Sequence, residues 1–207
     1  MGFKNIKQEE LHKSIILLQP SMPFLVTTLN KDSSINIAPF SWGTPISQYP
    51  PMMCLALLNK PQKQDSLKNI ERTGELVFNL IDMSIAERVV AASYEYNENV
   101  NKFVELNFKP VISEKIKTPG ITEARAHVEC KVKFLKETGD HMLIVSEIIA
   151  ASFNPDYYSG NLLIDLRKTK PLIHLKQYTR EDDQVHVFID TAGCKVLEIP
   201  YKEKLDI

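Results

Sequence analysis

The chain has 207 residues, 25 Lys and Arg against 26 Asp and Glu, and a net charge of −1 with histidine neutral. The length suits one large domain or a domain with an appendage, and the near-neutral balance argues against a general grip on nucleic acid. Three widely spaced cysteines, Cys54, Cys130 and Cys194, form no CxxC pair, which excludes a zinc ribbon or thioredoxin-like motif and fits a reducing compartment.

Along the chain, residues 6–18 set Ile6, Leu11, Ile15 and Leu18 on one helical stripe that ends before Pro20. The apolar run Ile15–Leu18 is too short for a signal peptide, and the longest run, Met52–Leu58, falls far short of the ~20 residues that span a bilayer. A cytoplasmic protein without a membrane segment is the expectation. FLVTTLN (24–30) reads as a strand, 30–34 as a turn, and Ile35 opens the segment NIAPFSWGTP (36–45). That segment alternates like a strand, yet Pro39 and Pro45 lack donors and Gly43 adds a break, so these residues are expected to leave the ladder. MMCLALL (52–58) reads as a strand buried on both faces.

Residues 64–74 predict a short helix with Asp65 or Ser66 as N-cap, Leu67 and Ile70 inward, and Gly74 at its end. ELVFNL (75–80) is a strand, and Ser84 with Glu87 predicts a capping box for a helix to about residue 93. Residues 94–120 are polar and read as a surface excursion, a mobile flap or a partner-binding arm, with one short helix near 102–106. In 127–134, Val128, Cys130, Val132 and Phe134 alternate with His127, Glu129, Lys131 and Lys133; the chain turns at 138–140 and returns through 141–152 as a long antiparallel hairpin. Shorter strands are expected around 162–166, 171–175, 185–190 and 195–199. Many strands with few short helices indicate an antiparallel barrel with accessory helices, not a doubly wound sheet.

The chain carries no GxGxxG, no phosphate-binding GxxxxGK[ST], no HExxH and no GxSxG, and its five histidines show no metal-ligand spacing. Two polar groups remain. Asn36, Ser41, Thr44 and Ser47 surround Trp42, the only tryptophan. Gln64, Asp65 and Ser66 open a helix next to Asn59, Lys60 and Lys63, where free N–H groups, a hydroxyl and cations could seat a phosphate. Taken alone, Asp65-Ser66 is also an ordinary cap, Trp42 an ordinary core or interface residue, and His141 an ordinary residue beside a turn.

The order of these pieces resembles the flavin reductase-like family with an FMN-binding split barrel. The matching residues are Val26-Thr27-Thr28, Asn36-Ile37-Ala38-Pro39-Phe40-Ser41, Pro50-Pro51, Asp65-Ser66, Asn69-Ile70 and Thr73 to Asn79. KFVELNF (102–108), AHVECKV (126–132) and Gly139-Asp140-His141 follow in order, so the likeness covers roughly residues 15–178. Ser66 stands where threonine is commoner, and Ser33-Ser34 where glycine is frequent. The resemblance implies a homodimer and a six-stranded antiparallel Greek-key split barrel over residues 1–178; 179–207 match none of these pieces and are expected to form an extension packed on the barrel or on the dimer partner.

It further implies FMN at or near the dimer interface, with NADH or NADPH as electron donor. By position, Asn36, Ala38, Pro39, Phe40, Ser41 and Trp42 would line the ring and ribityl chain. Asp65, Ser66 and Lys63 would hold the phosphate end, Ser47 would contribute nearby, and His141 would lie against the flavin and nicotinamide. The implied function is hydride transfer from NAD(P)H to flavin, feeding a flavin-dependent monooxygenase if one consumes the product. A flavin-binding redox sensor or carrier without nicotinamide turnover is the alternative.

Overall fold

The computed structural model of the chain describes residues 2–96, 100–176 and 187–189. The stretch before the first strand is a 3₁₀ helix, Gln8–Leu18, in which no residue is buried. With three residues per turn, Ile15 and Leu18 share a face but Leu11 lies about 120° away, so the expected apolar stripe does not form.

The strands are β1 (Phe24–Leu29), β2 (Ile35–Phe40), β3 (Gly43–Gln48), β4 (Pro51–Leu58), β5 (Glu75–Leu80), β6 (Pro110–Val111), β7 (Gly120–Ile121), β8 (Ala126–Thr138), β9 (His141–Phe153), β10 (Ile173–Lys176) and β11 (Val187–Ile189). Seven of them form one sheet in the order β2-β1-β5-β8-β9-β4-β3, antiparallel throughout. The expected fold class, mainly β and antiparallel with accessory helices, is what the chain adopts. The main sheet has seven strands where the resemblance implied six, because segment 36–45 divides at Ser41-Trp42 into β2 and β3. Residues 162–166 form no strand, only an isolated bridge between Tyr158 and Ile164. The strand expected at 195–199 lies outside the described residues, as does the extension 179–207 apart from β11, which pairs with β10.

Chain connectivity rolls this sheet. β2 and β3 lie at opposite edges, yet only Ser41 and Trp42 join them. Six strand spacings of ~4.8 Å would part the edges by about 29 Å if the sheet were flat. Three Cα–Cα steps of ~3.8 Å reach at most about 11 Å. The sheet must therefore curl until its edges meet. The packing agrees: a Cβ added to Gly43 in β3 would lie 3.3 Å from Phe24 Cε2 of β1.

Inside the roll, Phe24, Val26, Leu55, Leu57, Leu76, Phe78, Cys130 and Ile144 make one core, which Leu67 and Ile70 of helix α1 (Asp65–Thr73) enter from one end. Gly74 ends that helix at φ 67°, the left-handed conformation glycine accepts without a Cβ clash. Gln64, not Asp65 or Ser66, occupies the N-cap position, and no side chain caps it. Before the next helix, α2 (Ala86–Ala92), the expected Ser84–Glu87 box does not form: Asp82 caps a 3₁₀ turn, Met83–Ile85, its carboxylate accepting from Ser84 N at 2.8 Å, and no side chain caps α2 itself.

A second core lies outside the roll, where Val89 and Ala92 of α2 cover Leu25 and Ile37. Helix α3 (Lys102–Glu105) forms where expected, and Phe103, Phe108 and Ile121 fix residues 100–121 to this core, so that span is packed and is no free flap. On the hairpin β8–β9, Cys130 is buried as expected but Phe134 is 52% exposed. Register shifts at Glu129/Cys130 and Val132/Phe134 break the period of two. They also bury Glu129, whose carboxylate accepts from Glu114 N (2.7 Å) and Lys115 N (2.8 Å).

Candidate functional site

Closure of the barrel brings distant candidate residues together at the β2–β3 link. Trp42 O accepts from Ala56 N at 2.9 Å, which fastens the link to β4. Leu58 of β4 pairs with His141, the first residue of β9. The Trp42 and His141 rings consequently stack, with centroids 4.6 Å apart and planes inclined by 30°. His141 Nδ1 lies 2.6 Å from Asp140 Oδ1, and this hydrogen bond holds the Asp140 carboxyl below the ordinary carboxylate range. The Asp140 carbonyl meanwhile accepts from Asn59 N (2.8 Å) and Lys60 N (3.0 Å), and Lys60 Nζ pairs with Glu137. The hairpin turn is thus clamped to the loop that leads into α1.

A second cluster joins β1, β2 and α1. Asn36 Nδ2 donates to Ser66 Oγ (2.9 Å) and to Thr28 Oγ1 (3.1 Å). Ser66 and Asn69, three apart on α1, both face this cluster, and Asn69 Nδ2 donates to Thr28 Oγ1 and to Asn30 Oδ1. Ser66 is 2% exposed, so its hydroxyl stands behind Asn36, which is half-buried.

The remaining candidates divide. Ala38, Pro39 and Phe40 are half-buried in β2, in register with Val26, Leu25 and Phe24. Pro39 and Pro45 do not leave the ladder as expected: each sits on an edge strand, Pro39 opposite Leu25 and Pro45 opposite Met53, and an edge strand tolerates a missing donor on its open side. Gly43 is likewise paired, with Leu55. Among the residues of segment 36–45, only Ser41 and Trp42 stand between strands. Ser47 follows a register shift in β3, opposite Met52, away from the Asn36 cluster along the chain. Lys63 Nζ contacts both carboxylate oxygens of Glu71, at 2.7 and 2.8 Å, and Asp65 pairs with Lys68 at 2.7 Å.

Thr28, Asn30, Asn69 and Asp140 are polar residues at these two clusters that the sequence reading did not single out as site members. Asn69 and Asp140 belong to quoted motifs, Asn69-Ile70 and Gly139-Asp140-His141; Thr28 closes Val26-Thr27-Thr28. Two cavities lie nearby, one of about 370 Å³ between Ser33-Ser34 and α3, the other of about 320 Å³ beside Arg72 and Lys117. Neither is lined by Trp42, Ser66 or His141, of which Ser66 is buried and the two aromatic rings are half-buried.

The donor set suits a flavin. Half-buried amide and hydroxyl groups fit a ribityl chain, and the stacked indole and imidazole offer an aromatic flank. The exposed Lys63–Glu71 pair is worth about 0–1 kcal/mol, little enough for a phosphate dianion to compete for the cation. Among the described residues no cluster of His, Cys, Asp and Glu could hold a metal ion, and no helix is long and apolar enough to cross a membrane.

Similarity to known proteins runs along the same span. An Aquifex aeolicus protein is 27% identical over 172 residues, covering 82% of this chain and 88% of its own length. The 2-nitrobenzoate 2-nitroreductase NbaA of Pseudomonas fluorescens shares the fold with a TM-score of 0.78 at 24% identity, over 95% of this chain and 96% of that one. Nitrilotriacetate monooxygenase component B of Bacillus cereus also superposes with a TM-score of 0.78, at 20% identity, over 96% of this chain and 98% of its own. The flavin reductase like domain matches residues 18–176. The chain therefore belongs to the flavin reductase-like family, with its split-barrel fold.

Proposed function

We propose that this protein binds FMN and reduces it with NADH or NADPH. The observation that carries this reading is the Trp42–His141 stack, an aromatic surface just beyond the end of β2, the strand that carries Asn36, in a chain of this family. Bound flavin would supply the redox chemistry that no side chain here provides. The protein's part is to bind and orient. Asn36, Ala38, Pro39, Phe40, Ser41 and Trp42 line the ring and ribityl chain, with Ser47 beside them. The start of α1, with Asp65, Ser66 and Lys63, receives the phosphate, where free N–H groups and the helix dipole favour an anion. His141, held by Asp140 through Nδ1, presents its other nitrogen to nicotinamide, a positioning role that needs no obligatory proton transfer.

We read the protein as a homodimer in which a second copy covers the flavin. Exposed apolar residues Ile15, Ile16, Leu17 and Leu18 offer surface for such a contact. Residues 1–178 are assigned to the flavin domain. The protein works in the cytoplasm, and its reduced flavin serves a monooxygenase; the likeness to a monooxygenase component B supports this.

The test is an absorbance spectrum of the purified protein, then oxidation of each nicotinamide with and without added FMN. Flavin binding with turnover supports the proposal. Binding without turnover of either nicotinamide favours the sensor or carrier reading. A colourless protein that neither binds FMN nor oxidises nicotinamide sinks both.

A further inference from the structure

We propose that Asn69 is a positioning residue for the flavin-facing amide of Asn36, its own amide oriented by a relay that starts at the surface carboxylate of Asp32. The inference rests on Asn36 facing the flavin, as argued above; Asn69 itself is buried and touches no ligand surface.

The relay's direction follows from which groups can donate. An ionised carboxylate only accepts. Asp32 Oδ1 takes the Ser34 hydroxyl proton at 2.7 Å and the Ser34 N–H at 3.0 Å. Ser34 Oγ, its single proton committed, must accept, and Asn30 Nδ2 donates to it at 3.0 Å. The Asn30 amide therefore turns Oδ1 toward α1, where Asn69 Nδ2 donates at 2.8 Å. The same Asn69 Nδ2 reaches Thr28 Oγ1 at 3.2 Å. Asn36 Nδ2 takes the other side of Thr28 Oγ1 and also meets Ser66 Oγ, so the Asn36 carbonyl oxygen is the end of that amide left for a ligand. Both amides that reach Thr28 arrive with N–H, and Thr28 itself is fully buried. A buried network of this kind is worth most when every member keeps its direction.

The relay also explains a division of labour on α1. Leu67 and Ile70 anchor the helix in the barrel, while Ser66 and Asn69 carry its position to β1 and β2 through hydrogen bonds. The acceptor presented by Asn36 selects for a ligand with hydroxyl or N–H donors at that point, as a polyol chain has.

Asn69→Asp keeps the shape of the side chain but loses the N–H, and Asn69→Ala loses both. We expect each to weaken FMN binding about ten-fold, the worth of roughly one buried hydrogen bond. Nicotinamide KM and kcat at saturating FMN should stay within about two-fold, a split that a loss of folding would not produce. Asp32→Ala, at the surface, should weaken FMN about three-fold, and Asp32→Asn, which retains an acceptor, should restore it. Side-chain amide signals of Asn36 in ¹⁵N-correlated NMR spectra should shift in Asn69→Asp without any flavin present. Unchanged FMN affinity in folded Asn69→Asp, with native protein that does bind FMN, overturns the relay while leaving the proposed function standing. If native protein binds no flavin, the function falls, and an unshifted Asn36 amide then overturns the relay independently.

Discussion

Trp42 stacks on His141 with ring centroids 4.6 Å apart, although one lies in the β2–β3 link and the other opens β9. The contact exists because β4 lies between them in the sheet, bonded to Trp42 O through Ala56 and paired to His141 through Leu58. It turns two isolated sequence candidates into one aromatic surface.

His141→Ala should therefore lower kcat/KM for nicotinamide about ten-fold or more, while the dissociation constant for FMN changes less than about three-fold. Steady-state oxidation of NADH and NADPH checks this. Unchanged oxidation removes His141 from the site.

The closed seam leaves little room at Gly43. A Cβ there would meet Cys54 O and Phe24 Cε2 at 3.3 Å and Leu55 Cδ1 at 3.4 Å, with backbone on one side. Gly43→Ala should cost about 1 kcal/mol and shift the emission of Trp42, the only tryptophan, by moving the link away from His141. Denaturant melts followed by fluorescence test both effects; a native spectrum at native stability would contradict the tight seam.

Burial pushes the Cys130 thiol up to about 12, against a smaller downward pull from Ser146. At pH 8 its thiolate fraction is then on the order of one in ten thousand, and alkylation is correspondingly slow. In native protein treated with iodoacetamide, peptide mapping should find Cys130 unmodified when half-buried Cys54 has reacted. Denaturant should abolish the difference.

Asp82 ties the end of β5 to residues 169–170. Burial alone would raise its pKa, but bonds from the Thr169 hydroxyl and from Ser84 N and Lys170 N outweigh that and lower it. A carboxyl depressed in the folded state contributes stability that is complete above its unfolded value near ~4 and fades as pH falls through the folded value. Asp82→Asn should thus destabilise by about 1–2 kcal/mol at pH 7, and the gap from native should narrow below about pH 4. Melting temperatures across pH 2.5–7 measure this; a constant gap counts against the assignment.

Much of the fold was legible before any coordinates. Alternation in 126–152, the unbroken apolar run 52–58 and the Gly74 stop each placed an element where it formed, although 52–58, expected to be buried on both faces, buries Met53, Leu55 and Leu57 and leaves Met52, Cys54, Ala56 and Leu58 half-buried. Family membership was legible too, because an ordered series of short motifs survives where single motifs are ambiguous. Errors arose where a local rule competed with a long-range one. Phe134 alternates correctly yet is exposed, since two register shifts decide its face. Asp65 or Ser66 looked like the N-cap of α1, but Gln64 holds that position and the Ser66 hydroxyl accepts from Asn36.

By itself, the sequence determined most strands of the main sheet, the helices α1 to α3 and the residue types at the candidate site, because propensity, periodicity and turn chemistry act over a few neighbours. Tertiary structure alone decided that β2 and β3 are opposite edges of one rolled sheet, that Trp42 meets His141 and that Asn69 and Asn36 both donate to Thr28. Those contacts depend on strand order and closure, and no local pattern encodes which distant strand will lie alongside.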